Sequence, residues 1–162
     1  MPKEICPSCR RTKASLHCGL CHEWLCKDCA QFLEAATFSF LREIPEHLSH
    51  FTYCGLCYDK KVAPEIEAYS EVMNRARQVQ LFYKNEREVA LIYRSKKMLS
   101  IQNCPDRKEI LLRLAFFAAQ QSYNGLVHIE LNSEKIKIDG YQKTNWSGTG
   151  FPATVKVEGQ KF

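Results

Sequence analysis

Cysteine pairs dominate the chemistry open to this chain. Eight of its nine cysteines fall into four Cys-x-x-Cys pairs within the first 57 residues: Cys6/Cys9, Cys18/Cys21, Cys26/Cys29 and Cys54/Cys57. One such pair fits redox chemistry or a simple turn equally well. Four pairs supply the thiolates for two tetrahedral Zn²⁺ sites with none left over, because each turn aims two sulfurs at one ion and a second pair closes the tetrahedron. Two Zn²⁺ ions are therefore the expected cofactors. An all-thiolate site leaves no open position for an activated water, so no catalytic residues are expected in it. A disulfide framework would need an oxidising compartment, and Met1-Pro2-Lys3-Glu4-Ile5 carries no apolar signal-peptide core. The expected location is cytoplasmic. An iron–sulfur cluster calls for a dense ferredoxin-like run or a lone group of four cysteines.

The spacing is C-x2-C-x8-C-x2-C-x4-C-x2-C-x24-C-x2-C. A sequential pairing joins Cys6/Cys9 to Cys18/Cys21, and Cys26/Cys29 to Cys54/Cys57. An interleaved pairing joins Cys6, Cys9, Cys26 and Cys29 in one site, and Cys18, Cys21, Cys54 and Cys57 in the other. Only His22-Glu23-Trp24-Leu25 separates the second and third pairs. That short gap suits a strand running between two metals.

Over residues 5–60 these cysteines and intervals resemble the cross-brace zinc fingers, most closely the FYVE type, which has the same four-residue gap. The resemblance implies the interleaved pairing. PHD fingers normally place a histidine where Cys26 stands and a tryptophan where Thr52 stands, and RING fingers usually have a shorter gap and a histidine ligand. Lipid-binding FYVE domains carry a basic, histidine-rich run around the third cysteine. Here it reads Lys13-Ala14-Ser15-Leu16-His17-Cys18-Gly19, with one histidine and no arginine. No Trp-x-x-Asp motif precedes Cys6, and Thr52-Tyr53-Cys54 replaces an arginine-containing approach to the last pair. Specific phosphoinositide binding is thus not expected.

The elements that must position these thiols are a small metal-held module over residues 1–61, a connecting amphipathic helix over 62–86 and an α+β domain over 87–162. A stretch of about 60 residues buries too little apolar surface to fold well alone, so metal is expected to hold the first unit together. Between the third and fourth pairs, Phe32, Leu33, Ala36, Phe40, Leu41 and Ile44 predict a helix over 30–44 that Pro45 ends. Pro64, with Glu65 and Glu67 behind it, predicts a helix start. Ile66, Tyr69, Met73, Ala76 and Tyr83, widened by Val72, Val79 and Phe82, predict its apolar stripe.

The period then changes. Val89, Leu91 and Tyr93 alternate with Ala90, Ile92 and Arg94, predicting a strand to about Ser95 and a second through Ile101. Pro105-Asp106 opens a helix whose face is Ile110, Leu111, Leu114, Phe117 and Ala118, with Asn124-Gly125 as a left-handed stop. Val127, Ile129 and Leu131 make a strand, Asn132-Ser133 a turn, Ile136 and Ile138 a strand and Asp139-Gly140 a turn. Thr154 to Val157 form a last strand, giving β-(β)-α-β-β. From Ala118 to Val155 the tail also resembles small bacterial α+β domains credited with heavy-metal binding, which assemble as rings. No ligand set transfers, since His128 is the only histidine after His50.

Other candidates give bland readings. Cys104 precedes a helix start that could activate a thiol, but a capping or buried role is expected without a nearby base. His47 and His50 read as loop residues, and His17 and His22 as neighbours of the metal ligands. The segment Tyr141 to Pro152 contains Ser147-Gly148-Thr149-Gly150 but lacks the Lys-Ser/Thr and following helix of a phosphate loop. It reads as a glycine-rich hairpin with Trp146 packed on the sheet.

The charge of +5 overstates the attraction to nucleic acid. Residues 1–62 hold eight Lys/Arg and seven Asp/Glu, and eight thiolates with two Zn²⁺ bring that part to about −3. Nucleic acid is accordingly not the expected partner. The favoured function is a zinc-binding adaptor or regulatory protein, not an enzyme, whose finger is an interaction module for a protein partner. Self-association through residues 64–83 or the tail is compatible with it. A RING-like ubiquitin-ligase module and a nucleic-acid-binding zinc protein are the alternatives.

Overall fold

The computed structural model describes residues 5–11 and 13–156. The chain divides into two compact units, Met1–Ser70 and Glu71–Phe162.

The first unit contains very little regular structure, and cysteine turns organise what there is. Strand β1 (Leu16–His17) pairs antiparallel with β2 (Trp24–Leu25), and β3 (Gln31–Phe32) with β4 (Thr52–Tyr53). Cys54 then caps the short helix α1 (Gly55–Cys57), its sulfur accepting the Cys57 N–H at 3.4 Å. A π-helical turn, Tyr58–Val62, leads into α2 (Ala63–Ala76). Leu25, Ala30, Leu33, Phe38, Leu48, Tyr53 and Val62 are buried together with Cys18 and Cys54. Phe38 meets the edge of the Tyr69 ring with centroids 5.3 Å apart.

Two helix expectations are corrected here. Residues 30–44 are not helical. β3 occupies their start, and successive tight turns follow, with Thr37 N–H to Glu34 C=O, Ser39 to Ala36 and Leu41 to Phe38. The apolar residues there do not share one face, since Leu33 and Phe38 enter the core while Phe32 and Ile44 stay exposed. Helix formers such as Ala35, Ala36 and Leu41 are present, but tertiary context overrides their weak intrinsic preference. The helix expected to reach residue 86 stops at Ala76, because Gln80 to Tyr83 belongs to a strand whose aromatic Phe82 and Tyr83 suit a sheet.

That strand, β5 (Gln80–Tyr83), opens the second unit's five-stranded sheet. It runs parallel to β8 (Gly125–Ile138), which pairs antiparallel with β9 (Tyr141–Val155). The far edge of β9 is shared between β6 (Leu91–Arg94) near its end and β7 (Leu99–Cys104) near its middle. Helix α3 (Arg107–Gln120) starts at Asp106, whose carboxylate accepts the Glu109 N–H at 2.8 Å. Of its expected face, Ile110, Leu114, Phe117 and Ala118 are buried, while Leu111 is half-buried.

Gly148 makes the close approach of α3 to the sheet possible, because a Cβ there would lie 2.5 Å from Ile110 Cγ2 and 2.7 Å from Leu131 Cδ2. The helix ends before Asn124-Gly125, with the left-handed position at Ser122. Ser122 takes the left-handed conformation (φ 67°), and the Tyr123 N–H reaches the Ala118 C=O at 2.9 Å. Asn124 instead joins the sheet, its side chain donating to the Val155 C=O and accepting the Val155 N–H.

Asn132-Ser133 is likewise no turn. Both residues pair across to Ser147 and Trp146 within one long ribbon, which reverses only at Asp139 (φ 50°) and Gly140 (φ 81°). The expected last strand is the end of β9, with its Val157 outside the described residues. Among the described residues no helix is long and apolar enough to cross a membrane.

Candidate metal centre

All four Cys-x-x-Cys turns close in the same way. The N–H after the second cysteine donates to the C=O of the first: Arg10 to Cys6, His22 to Cys18, Ala30 to Cys26 and Tyr58 to Cys54, at 2.9 to 3.1 Å. Arg10 (φ 57°) and His22 (φ 62°) adopt left-handed backbone to finish the first two turns. Each turn thereby presents two sulfurs on one side of the chain.

Pairing of the strands then decides which turns meet. β1 and β2 flank the Cys18/Cys21 turn, and β2 carries the chain directly from Cys21 to Cys26. The β3–β4 pairing starts just after Cys29 and ends just before Cys54. An isolated bridge between Ile5 and Lys13 closes the loop that holds Cys6 and Cys9.

Two groups of sulfurs result: Cys6, Cys9, Cys26 and Cys29 in one, Cys18, Cys21, Cys54 and Cys57 in the other. Within each group all four Sγ atoms lie within 4.8 Å of one another. A tetrahedral Zn–S distance of about 2.3 Å sets the S···S edge near 3.8 Å. Cys9 and Cys26 lie 3.7 Å apart, as do Cys21 and Cys54. A disulfide would need about 2.05 Å. The residues fit a metal ion, and the interleaved grouping is the one the structure has.

Backbone amides prepare these sulfurs for negative charge. Leu20 N–H approaches Cys18 Sγ, and Cys57 N–H approaches Cys54 Sγ, both at 3.4 Å. The Cys6 thiol is pulled down by the backbone of Cys9 and then of Cys26. Burial pushes the Cys18 thiol up, but the backbones of Cys21, Cys54 and Leu20 together bring it down to about 6. Other members hold their protons more tightly. The Cys26 and Cys9 thiols push Cys29 up to about 12, while burial first and the Cys54 sulfur second push Cys57 up. Each tetrad thus combines a readily ionised thiol with ones that need a cation before they ionise.

The two centres sit in different surroundings. The second lies in the main core of its unit, whereas the first is buried only around Cys6, Ala14 and Cys26. Cys21 is exposed and, with Cys57, lines an open depression shared with His47, Lys60 and Lys61. Those lysines place positive charge beside thiolates that would carry a net −2 around zinc.

Neither His47 nor His50 joins a tetrad. His47 faces Glu65 at 3.8 Å, and the His50 ring fills the space where a side chain on Gly19 would project. His17 packs on Trp24, with centroids 5.4 Å apart, and His22 is exposed. Sequence reading missed the supporting role of Tyr53, which is fully buried with its hydroxyl bonded to the His47 C=O and the His50 N–H. Its position immediately before Cys54 was the available signal. Cys104 is buried at the end of β7, 3.9 Å from the Gln102 C=O, and burial pushes its thiol up, against the ionised form.

No protein-family model, no curated protein and no solved structure matches this chain.

Proposed function

We propose that the first unit is a two-zinc cross-brace finger of FYVE-like form, and that it serves a non-catalytic adaptor or regulatory protein by presenting a surface to a protein partner. The interleaving of the two tetrads supports this most directly. It uses all eight paired cysteines as ligands, leaving each ion saturated and its role structural. Exposed Phe32 and Phe51, 5.2 Å apart on the β3–β4 face, supply apolar contact area of the kind protein partners use. The basic cluster Arg10, Arg11 and Lys13 is too small to select a phosphoinositide head group beside an anionic metal core.

The test is affinity capture with the intact zinc-loaded chain beside the same chain stripped of zinc. A partner retained only by the loaded form is the expected result. Equal retention by both forms, or turnover of a substrate by the loaded form, would refute the reading.

A RING-like ubiquitin-ligase module is a second reading, favoured by the exposure of Ile5 (63%), Trp24 (46%) and Pro45. Direct titration with ubiquitin-conjugating enzymes separates it from the adaptor reading.

A further inference from the structure

The outer edge of the second unit's sheet is unusually apolar. β6 ends the strand order, and among the described residues no strand pairs with its other side. Leu91, Ile92 and Tyr93 are 48%, 64% and 54% exposed. Ile92 is the extra residue of a bulge between the Leu91–Val155 and Tyr93–Thr154 pairs, so it has no partner in the β9 register. Soluble proteins usually guard such edges, since an unpaired strand is a template for another chain. The bulge bends this edge, but it puts an isoleucine outward instead of a lysine or proline.

Charge placement indicates what would cover it. Glu86, Arg87 and Glu88 precede the strand and leave that flank net acidic by one charge (two carboxylates against one guanidinium). Arg94, Lys96 and Lys97 end and follow it with three positive charges, and all six residues are exposed. Two copies of this strand laid antiparallel put the acidic flank of each against the basic flank of the other. A parallel arrangement would oppose like charges at both ends, which is destabilising. A two-fold axis through the strand satisfies both ends at once, as a self-complementary interface must.

We infer that the chain forms a two-fold dimer in which β6 pairs antiparallel with β6 of a second copy, joining the two sheets into one.

Sedimentation of the full zinc-loaded chain over a range of concentrations tests this. Ile92→Lys, at an exposed position that leaves the fold intact by circular dichroism, should weaken dimerisation about tenfold or more. Two charge variants make the test independent of that substitution. Glu86→Lys with Glu88→Lys gives basic flanks at both ends, and Lys96→Glu with Lys97→Glu gives acidic ones. Each variant alone should be monomeric, and their equimolar mixture should dimerise. A wild type that stays monomeric at every concentration, or a dimer indifferent to these changes, overturns the inference.

Discussion

The Tyr53 hydroxyl donates to the His47 carbonyl at 2.9 Å, and it also accepts the His50 N–H at 3.1 Å. One side chain thus pins the loop of residues 47–50 beneath the Cys54 turn, and the His50 ring in turn lies against Gly19 of the Cys18 turn. Two halves of one metal centre are joined through a phenol. Tyr53→Phe keeps the ring and strands both backbone groups, at a cost of about 1–3 kcal/mol. The loaded chain should melt at lower temperature, with zinc release at the second centre moving in step. An unchanged melting temperature would show that water replaces the hydroxyl without loss.

Replacing Cys6 and Cys9 together with serine should lower the zinc content from two ions to one. Cysteine-directed alkylation should then modify Cys26 and Cys29 and spare Cys18, Cys21, Cys54 and Cys57, following the observed grouping. Modification of Cys18 and Cys21 instead would mean that the ions sit in sequential pairs.

Acid should release the metal in a defined window. Cys18 is an acid whose folded value is depressed to about 6, against about 8.5 for a free thiol. Its stabilising effect is present above the free value and is lost as pH falls through about 6. Zinc affinity at the second centre should therefore fall more steeply with acid below about pH 6, where Cys18 must first give up a proton to bind, followed with a chromogenic chelator. Loading at pH 7 should release protons, since Cys29 and Cys57 hold theirs until a cation arrives. Uptake without proton release would contradict that assignment.

Gly148→Ala tests the helix–sheet contact in the second unit. The added carbon would meet Ile110 and Leu131 well inside van der Waals contact, and overpacking of this kind costs about 1–3 kcal/mol. The second unit should melt earlier while zinc content stays at two per chain. Loss of zinc from this variant would mean that the units do not fold separately.

The candidate ligands were legible because Cys-x-x-Cys spacing encodes a local turn, and local geometry survives whatever the rest of the chain does. The grouping of the turns was not fixed by spacing alone, since it depends on β3 meeting β4 across the largely irregular residues 33–51. In the second unit the α3 face and its Asp106 cap were readable from helical period and capping chemistry. β5 was not, because Phe82 and Tyr83 fit a helical stripe as well as a strand, and only pairing with Leu126 and Ile129 decides between them. Asn132-Ser133 misled for a related reason. Turn-forming residues are tolerated inside a long ribbon when cross-strand partners hold them extended.

Strand β2 lies inside both of the rings that bound metal would close, one running from Cys9 to Cys26 and the other reaching Cys54 from Cys18. Whichever ion arrives first must order that shared segment, at about 1–2 kcal/mol per backbone residue. The second ion finds it already ordered and binds more tightly for it. Metal uptake should then be all-or-none: at limiting zinc, native mass spectra should contain mainly empty and doubly loaded chains, with singly loaded ones scarce.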